Sequence, residues 1–528
     1  MRSPVPRIAL LALMAVLLLA LPGVAAAQYP PRVPDGTIAT AAGTVPGFAG
    51  DGGPATQARL NAPLDTAFLA DGSYVVADSA NDRIRRVAPN GVITTAVDVA
   101  AGLDAPGGVT ALGGAAYLVA DTGNGLIRRV ASNGAIATVA GTTPGFSGDG
   151  GPAALAQLRS PSDTAVMPDG GYVIADTGNG RIRRVTPGGV ITTIAAGLSG
   201  PRDVAVAVDS AVIVADTGNS RILRIATDGT VSTVAGTSTG FAGDGDPART
   251  AQLASPASVA ALPNGGILVA DTANNRVRRI TPLGAIFTVA GTTQGLGGDG
   301  GPSKAGRLNG PVGVTPAPGG GFLVADAGNA RIRRASTVGA VPPAVSGRSV
   351  GVAPQSGTIT VRPSGIDAFL ALREEDLVPL TSDVEATQGR LEIATATGLG
   401  AAQQTAVVRE GAFAVRQIGT RAQPTTLFRL PSLTGCSTVR ASIAAKRKRK
   451  RQRRLWVSER GGRWRTATGS VSAAAIGTEW ATTLLCDGTR VSVREGAVRV
   501  RDKIRDRSVI VRAGQSFKVV TRGARRGS

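Results

Sequence analysis

The chain has 528 residues, with 57 Lys+Arg against 36 Asp+Glu, a formal net charge of +21, two cysteines and no histidine. The missing His removes the commonest general base and the commonest zinc ligand, and the length allows two or three domains. The charge is uneven: residues 28–340 hold 23 Lys+Arg, 22 Asp and no Glu, whereas residues 341–528 hold 32 Lys+Arg and 14 Asp+Glu, so a polyanionic partner concerns the C-terminal part alone.

Arg2 and Arg7 precede an apolar run from Ile8 to Leu21, and Ala25-Ala26-Ala27 offers a small-residue cleavage site. The run is too short to span a bilayer, so residues 1–27 are expected to be a signal peptide, with no Cys at the cut for a lipid anchor. The mature protein is then expected outside the cytoplasm, as a secreted, periplasmic or cell-surface protein with no transmembrane anchor. A short Pro-rich lead (28–35) follows. From there the phrase Val-Ala-Asp-x-x-Asn-x-Arg-Ile-Arg-Arg recurs with variations, its turns opening at Asp78, Asp121, Asp176, Asp216, Asp271 and Asp326. Each copy reads as short strands joined by turns such as Asp71-Gly72 and Asn90-Gly91, and repeats of 40 to 55 residues built this way predict a β-propeller. Thr37–Gly43 matches the last strand of other repeats (136–141, 231–236, 286–291) but precedes the first blade. It is therefore expected to supply the outer strand of the last blade, closing the ring and removing an exposed edge.

The Asp-x-x-Asn-x-Arg-Ile-Arg-Arg core, with the linking phrase Gly-Phe-Ser-Gly-Asp-Gly-Gly-Pro-Ala at 145–153, resembles the NHL repeat family over residues 36–340. The resemblance implies a six-bladed propeller of a kind used mostly to recognise protein or RNA, with a few enzymes among its members. The linking phrase occurs at Gly47–Pro54, Gly145–Pro152, Gly240–Pro247 and Gly295–Pro302, entering blades 1, 3, 5 and 6. Because strands alternate in direction, these loops and the Asp turns are expected on one face, where binding usually resides. Loops 5, 6 and 1 are adjacent around a closed ring and form a ledge.

Phe48, Asp51, Phe146, Asp149, Phe241, Asp244 and Asp299 are the candidate ligand-face residues, with Leu296 in place of the fourth Phe. A Gly/Asp loop can offer oxygens to Ca²⁺, but one Asp per loop is few; the alternative is an Asp capping a Gly turn while Phe plugs the loop onto the blade. The six turn aspartates are read as architecture: each is expected to accept a hydrogen bond within its own turn and to pair with the Arg five positions on. No cofactor and no metal site are expected. The amidating-type lyases built on this fold use His-bound zinc, and the lactonase-type propellers need a metal-binding Glu; this propeller has neither residue.

A linker is expected at 341–356. Residues 357–528 are read as a basic β-rich domain in which 476–480, 491–501 and 511–517 resemble a FecR-like domain, implying signal relay or an envelope module. The phrase Arg409-Glu-Gly-Ala-Phe-Ala-Val-Arg416 recurs as Arg494-Glu-Gly-Ala-Val-Arg-Val-Arg501, suggesting two β halves. Within a cationic insert (440–455) sits Lys446-Arg447-Lys448-Arg449-Lys450-Arg451-Gln452-Arg453-Arg454, read as an arm for an anionic polymer or as a solvated insertion. Cys436 and Cys486 flank it, and export favours a disulfide between them. The sequence thus predicts an all-β chain: a six-bladed propeller closed by an N-terminal outer strand, then a β-rich domain. It is expected to be a monomeric, exported, non-enzymatic scaffold whose propeller face binds a protein or envelope ligand, with no intracellular nucleic acid partner. The alternatives are an envelope component acting through the FecR-like domain and a metal-dependent lactonase or hydrolase.

Overall fold

A computed structural model describes residues 36–336 without interruption and, between 349 and 520, the strands named below with short stretches joining them. The signal peptide, the lead before Gly36, Cys436, Cys486 and Lys446–Arg451 lie outside the described residues. Among those described, no helix is long and apolar enough to cross a membrane.

Six four-stranded antiparallel sheets follow one another. Blade 1 is typical: strand a is Pro63–Phe68, b is Tyr74–Asp78, c is Arg83–Val87 and d is Ile93–Val97. Strand b is buried along its whole length. The apolar residues of a blade pack against those of the next, as Val75 and Ala77 of blade 1 do with Val109 and Val119 of blade 2. Blade 6 takes its strands a to c from Pro311–Pro316, Phe322–Asp326 and Arg331–Ala335, and its fourth from Ile38–Ala42, where Ile38 pairs with Ala335 and Ala42 with Ile332. The expected closure by the N-terminal strand is present. Gly36 and Ile38 also bond to the blade 6 loop, through Ser303 N to Gly36 O and Ile38 N to Gly301 O.

Every strand a carries a β-bulge one residue after its leading Pro: Pro63 pairs with Asp78 but Asp65 with Ala77, leaving Leu64 unmatched. The same shift recurs after Pro161, Pro201, Pro256 and Pro311, and in blade 2 it takes in Gly107 and Gly108. A bulge re-aims side chains and strengthens the local twist. Here it turns the bulged residue toward the ring axis.

Among the described residues, the C-terminal strands form one continuous fourteen-stranded sheet rather than two separate sheets. Its first strand, Ser349–Arg362, begins inside the segment expected as linker; Pro354 sits at a register irregularity, where a missing N–H is tolerated. One face holds a core with fully buried Trp480, whose Nε1 donates to Thr466 Oγ1 (3.1 Å), and with Phe413 edge-on to Phe428; Leu283 of blade 5 joins it. The two copies of the Arg-Glu-Gly-Ala phrase differ in form. The first lies inside the strand Gln403–Thr420, while the second bends at Gly496 (φ 74°) between Gly488–Glu495 and Ala497–Asp502. Arg453 and Arg454 belong to the strand Gln452–Arg460, pairing with Leu484 and Thr483, so the cationic insert ends before them.

Candidate functional site

The six turn aspartates are fully buried. Their hydrogen bonds differ from those expected. Asp78 Oδ1 accepts from the backbone N–H of Asn61, just before strand a, and the same link joins Asp121 to Asp104, Asp176 to Arg159, Asp216 to Ser199, Asp271 to Ala254 and Asp326 to Asn309. The carboxylate thus fastens strand a to the b–c turn instead of capping its own turn, and the turn Asn donates to it as well (Asn81 Nδ2, 2.8 Å). The guanidinium partner is seven positions on, not five: Arg85, Arg128, Arg183, Arg278 and Arg333 face their Asp at 3.4–3.8 Å, and only blade 4 uses the fifth position (Arg221–Asp216, 2.7 Å). Positions five and seven share a strand face, and the seventh is the more deeply enclosed. Burial pushes the carboxyls of Asp78, Asp121, Asp176 and Asp326 up, and that of Asp271 to about 6.

The loop aspartates engage the other side of the same arginines. Asp149 accepts from Arg183 (2.8 Å) and from Thr193 Oγ1 (2.7 Å). Asp51 does so from Arg85 and Thr95, Asp244 from Arg278 and Thr288 N, and Asp299 from Arg333 and from Thr40 on the closing strand. Burial works to raise Asp51, but Thr95 and Arg85 outweigh it and hold the group low. Phe146 lies under Arg181 (3.9 Å to the ring centre) and Arg183 (5.0 Å), and Phe48 and Phe241 repeat the stack. Four loops are thus pinned by one arginine each, held between two carboxylates and, in blades 1, 3 and 5, against an aromatic face. This donor set belongs to a loop anchor rather than to a cation site. In blade 4, which has no such loop, Leu223 fills the arginine's place.

The loops and the Asp turns do emerge on one face: Asn179 Nδ2 donates to Gly145 O, and Asn81 to Gly47 O. A cleft of about 390 Å³ lies between the loops of blades 6 and 1, lined by Thr44, Leu296 and Asp299 among others. This is part of the expected ledge.

A cavity of about 290 Å³ occupies the mouth of the central channel on that face. Its wall contains the bulged residues Leu64, Gly107, Ser162, Arg202, Ala257 and Val312, and below them Asp65, Gly108, Asp163 and Asp203. Sequence reasoning did not single out these positions. The signal was there: after the leading Pro the six repeats read Leu-Asp, Gly-Gly, Ser-Asp, Arg-Asp, Ala-Ser and Val-Gly, the least uniform stretch of strand a.

Each junction between blades carries a polar link at this level. Asp65 accepts from Val109 N (2.9 Å), Asp163 from Val204 N (3.2 Å), Ser258 from Val314 N (3.1 Å), and Asp203 from Val259 N. Where the position is Gly, threonines replace the carboxylate: Thr110 Oγ1 donates to Thr164 O (2.6 Å) and Thr315 Oγ1 to Thr66 O (2.7 Å). Gly108 allows the fit, since a Cβ there would stand 2.9 Å from Asp163 Cα and overlap its carboxyl. Burial and the neighbouring Asp203 push Asp163 well up. Burial lifts Asp203 to about 6 against the hydrogen bonds it makes with Ser258 and Asp163. Burial and Asp203 also raise Asp65. Arg202 sets one positive charge beside them. Toward the other end the channel is walled by Val, Ala and Thr, among them Val109, Ala165 and Thr315. The channel therefore has a polar, mixed-charge mouth above a more apolar floor.

The NHL repeat family matches residues 158–185 and 253–280, which hold strands a to c of blades 3 and 5. No curated protein resembles the chain in sequence. In structure it is similar to a protein of unknown function from Bacteroides thetaiotaomicron VPI-5482, with 18% identity, 56% of this chain and 74% of that one covered, and a TM-score of 0.46. It is also similar to an auxiliary nutrient binding protein from Bacteroides ovatus ATCC 8483 (15% identity, 56% and 75%, TM-score 0.44) and to virginiamycin B lyase from Staphylococcus aureus (18%, 51% and 78%, TM-score 0.37). The chain thus closes six four-stranded blades into a β-propeller, and two of those blades match the NHL repeat.

Proposed function

We propose that the protein is an exported, non-enzymatic binding scaffold whose loop-bearing propeller face takes a protein or cell-envelope ligand, with a polar group of that ligand entering the channel mouth. The observation that carries this reading is the cavity on the ring axis. Its wall is built from the bulge positions that differ from blade to blade, while the residues common to the blades serve the frame. A rigid frame with variable inward residues on its loop face suits recognition. The carboxyls in the mouth are engaged in holding neighbouring blades, which favours binding over catalysis. Export rests on residues 1–27, and release of a mature chain beginning at Gln28 is its signature.

The test is an array of bacterial envelope glycans and peptides probed with the full chain, followed by hydrogen exchange with the tightest hit. The loops around Asp244, Asp299 and Asp51 and the turns beside the cavity should gain protection first, and Arg202→Ala should weaken that hit at least tenfold. Protection confined to the opposite face, at turns such as Asp71-Gly72, refutes the reading. A second reading, acid–base catalysis in the channel, is favoured by the buried Asp163 and Asp203 carboxyls lining the cavity, both of which burial pushes up. It requires turnover of a lactone or ester substrate that Asp203→Asn abolishes.

A further inference from the structure

We propose that the solvent face of the C-terminal sheet, across Trp464–Ala467, Val471–Ala475, Ala497–Asp502 and Arg507–Arg512, is a docking surface for a linear acidic polysaccharide. This is independent of the propeller's ligand. The four strands are neighbours, and their register places Arg465 opposite Ala474, Ala474 opposite Arg499, and Arg499 opposite Ile510. Directly paired residues point to the same face of an antiparallel sheet. The burial alternation in Ala497–Asp502, exposed at Ala497, Arg499 and Arg501 and buried between, identifies that face as the outer one. Arg512 lies on it too, opposite Ala497.

The outward positions of these strands carry four arginines and no acidic residue. Arg501 has an exposed partner, Asp506, at 2.7 Å, a contact of small net worth. Arg465, Arg499 and Arg512 are exposed and have no carboxylate partner among the described residues. Between Arg465 and Arg499 the intervening strand presents only Ala474 and Ser472, both small. Two strand spacings, roughly 9–10 Å, therefore separate guanidinium posts across a shallow trough. The surrounding chain is strongly basic, with 32 Lys+Arg against 14 Asp+Glu beyond residue 340.

That pattern selects the partner. Arginine's planar fork matches carboxylate and sulfate oxygens two at a time. A trough between posts admits a narrow chain carrying charges at intervals. Single-stranded nucleic acid is disfavoured, because no aromatic side chain stands on the outward positions to stack a base. A duplex is disfavoured because the face is a broad sheet with no helix or two-stranded ribbon to enter a groove. A protein hot spot needs a buried aromatic or aliphatic anchor, and Ile510 is the one large apolar residue here.

The test measures binding of the full-length protein to alginate, a polyuronate, and to double-stranded DNA at fixed ionic strength. The triple variant Arg465→Gln/Arg499→Gln/Arg512→Gln is compared with a charge-matched control, Arg490→Gln/Arg494→Gln/Lys518→Gln, on other strands of the sheet. Thermal midpoints within a few degrees of the parent verify that both fold. Alginate affinity should fall at least tenfold in the first variant and less than threefold in the control, even though the basic run at 446–454 is intact in both. A smaller loss, an equal loss in the two variants, or tighter binding of DNA than of alginate through the same arginines overturns the proposal.

Discussion

Replacing Arg183 by Leu separates a structural clamp from a ligand-binding loop. Arg183 is fully buried and holds Asp149 at 2.8 Å, Asp176 at 3.4 Å and the carbonyl of Ser147 at 3.1 Å. Leu fits such a position, since Leu223 occupies it in blade 4, but there Arg221 moves in on Asp216 and no loop Asp needs a partner. In blade 3 the change strands a buried carboxylate. Breaking a buried pair from one side costs about 3–5 kcal/mol. Asp176 keeps Arg159 N (2.8 Å) and Asn179 Nδ2 (2.8 Å), which places the loss near the lower end, about 3 kcal/mol. For a domain of about 300 residues that lowers the melting midpoint by roughly 5 °C. The sign of the pH dependence follows from Asp176. Burial raises it in the folded state and Arg183 holds it down, so removing the arginine lifts it further. A folded carboxyl with a raised pKa contributes stability at low pH that is lost as pH rises through that pKa. The deficit of the variant relative to the parent should therefore be larger at pH 7.5 than at pH 5. Adding Asp176→Asn should recover part of it at pH 7.5. Urea denaturation at the two pH values measures all of this. A loss below 1 kcal/mol, or one equal at both pH values, refutes the clamp.

Deleting Thr37–Gly43 should destabilise the whole ring, because blade 6 loses the strand that pairs with Arg331–Ala335 and Asp299 loses Thr40; an unchanged melting midpoint would sink this. Asp203→Asn should raise stability at pH 7 relative to pH 4. The raised carboxyls of Asp203 and its neighbours favour the folded state below their unfolded pKa near 4, and that contribution fades as pH rises through about 6. The parent-minus-variant difference should change on the order of 2–3 kcal/mol across that window, and a flat difference counts against a raised Asp203 carboxyl.

The repeated phrase determined most of the fold. Strand alternation, Gly turns at fixed offsets and the Asp-to-Arg span set the blade, because each repeat must bury the same surface against its neighbours. The closing strand was legible for the same reason, since Thr37–Gly43 fits only an outer strand that its own position lacks. Local spacing could also suggest that the turn Asp and a c-strand Arg meet. It could not say that the fifth Arg lies out on Phe146 while the seventh sits between Asp176 and Asp149, because that depends on a loop 34 residues earlier folding back onto the blade. The channel mouth shows the limit most clearly. Asp65, Asp163 and Asp203 are separated along the chain and stand in otherwise ordinary strands; closing the ring brings strand a of every blade to one axis, and the bulge after each Pro turns the variable residue inward. The C-terminal arginine face likewise required the strand order, since Arg465 and Arg499 share a surface only through the strand Val471–Ala475 between them. Sequence period fixes what a segment buries, whereas long-range closure and register decide which unburied residues meet.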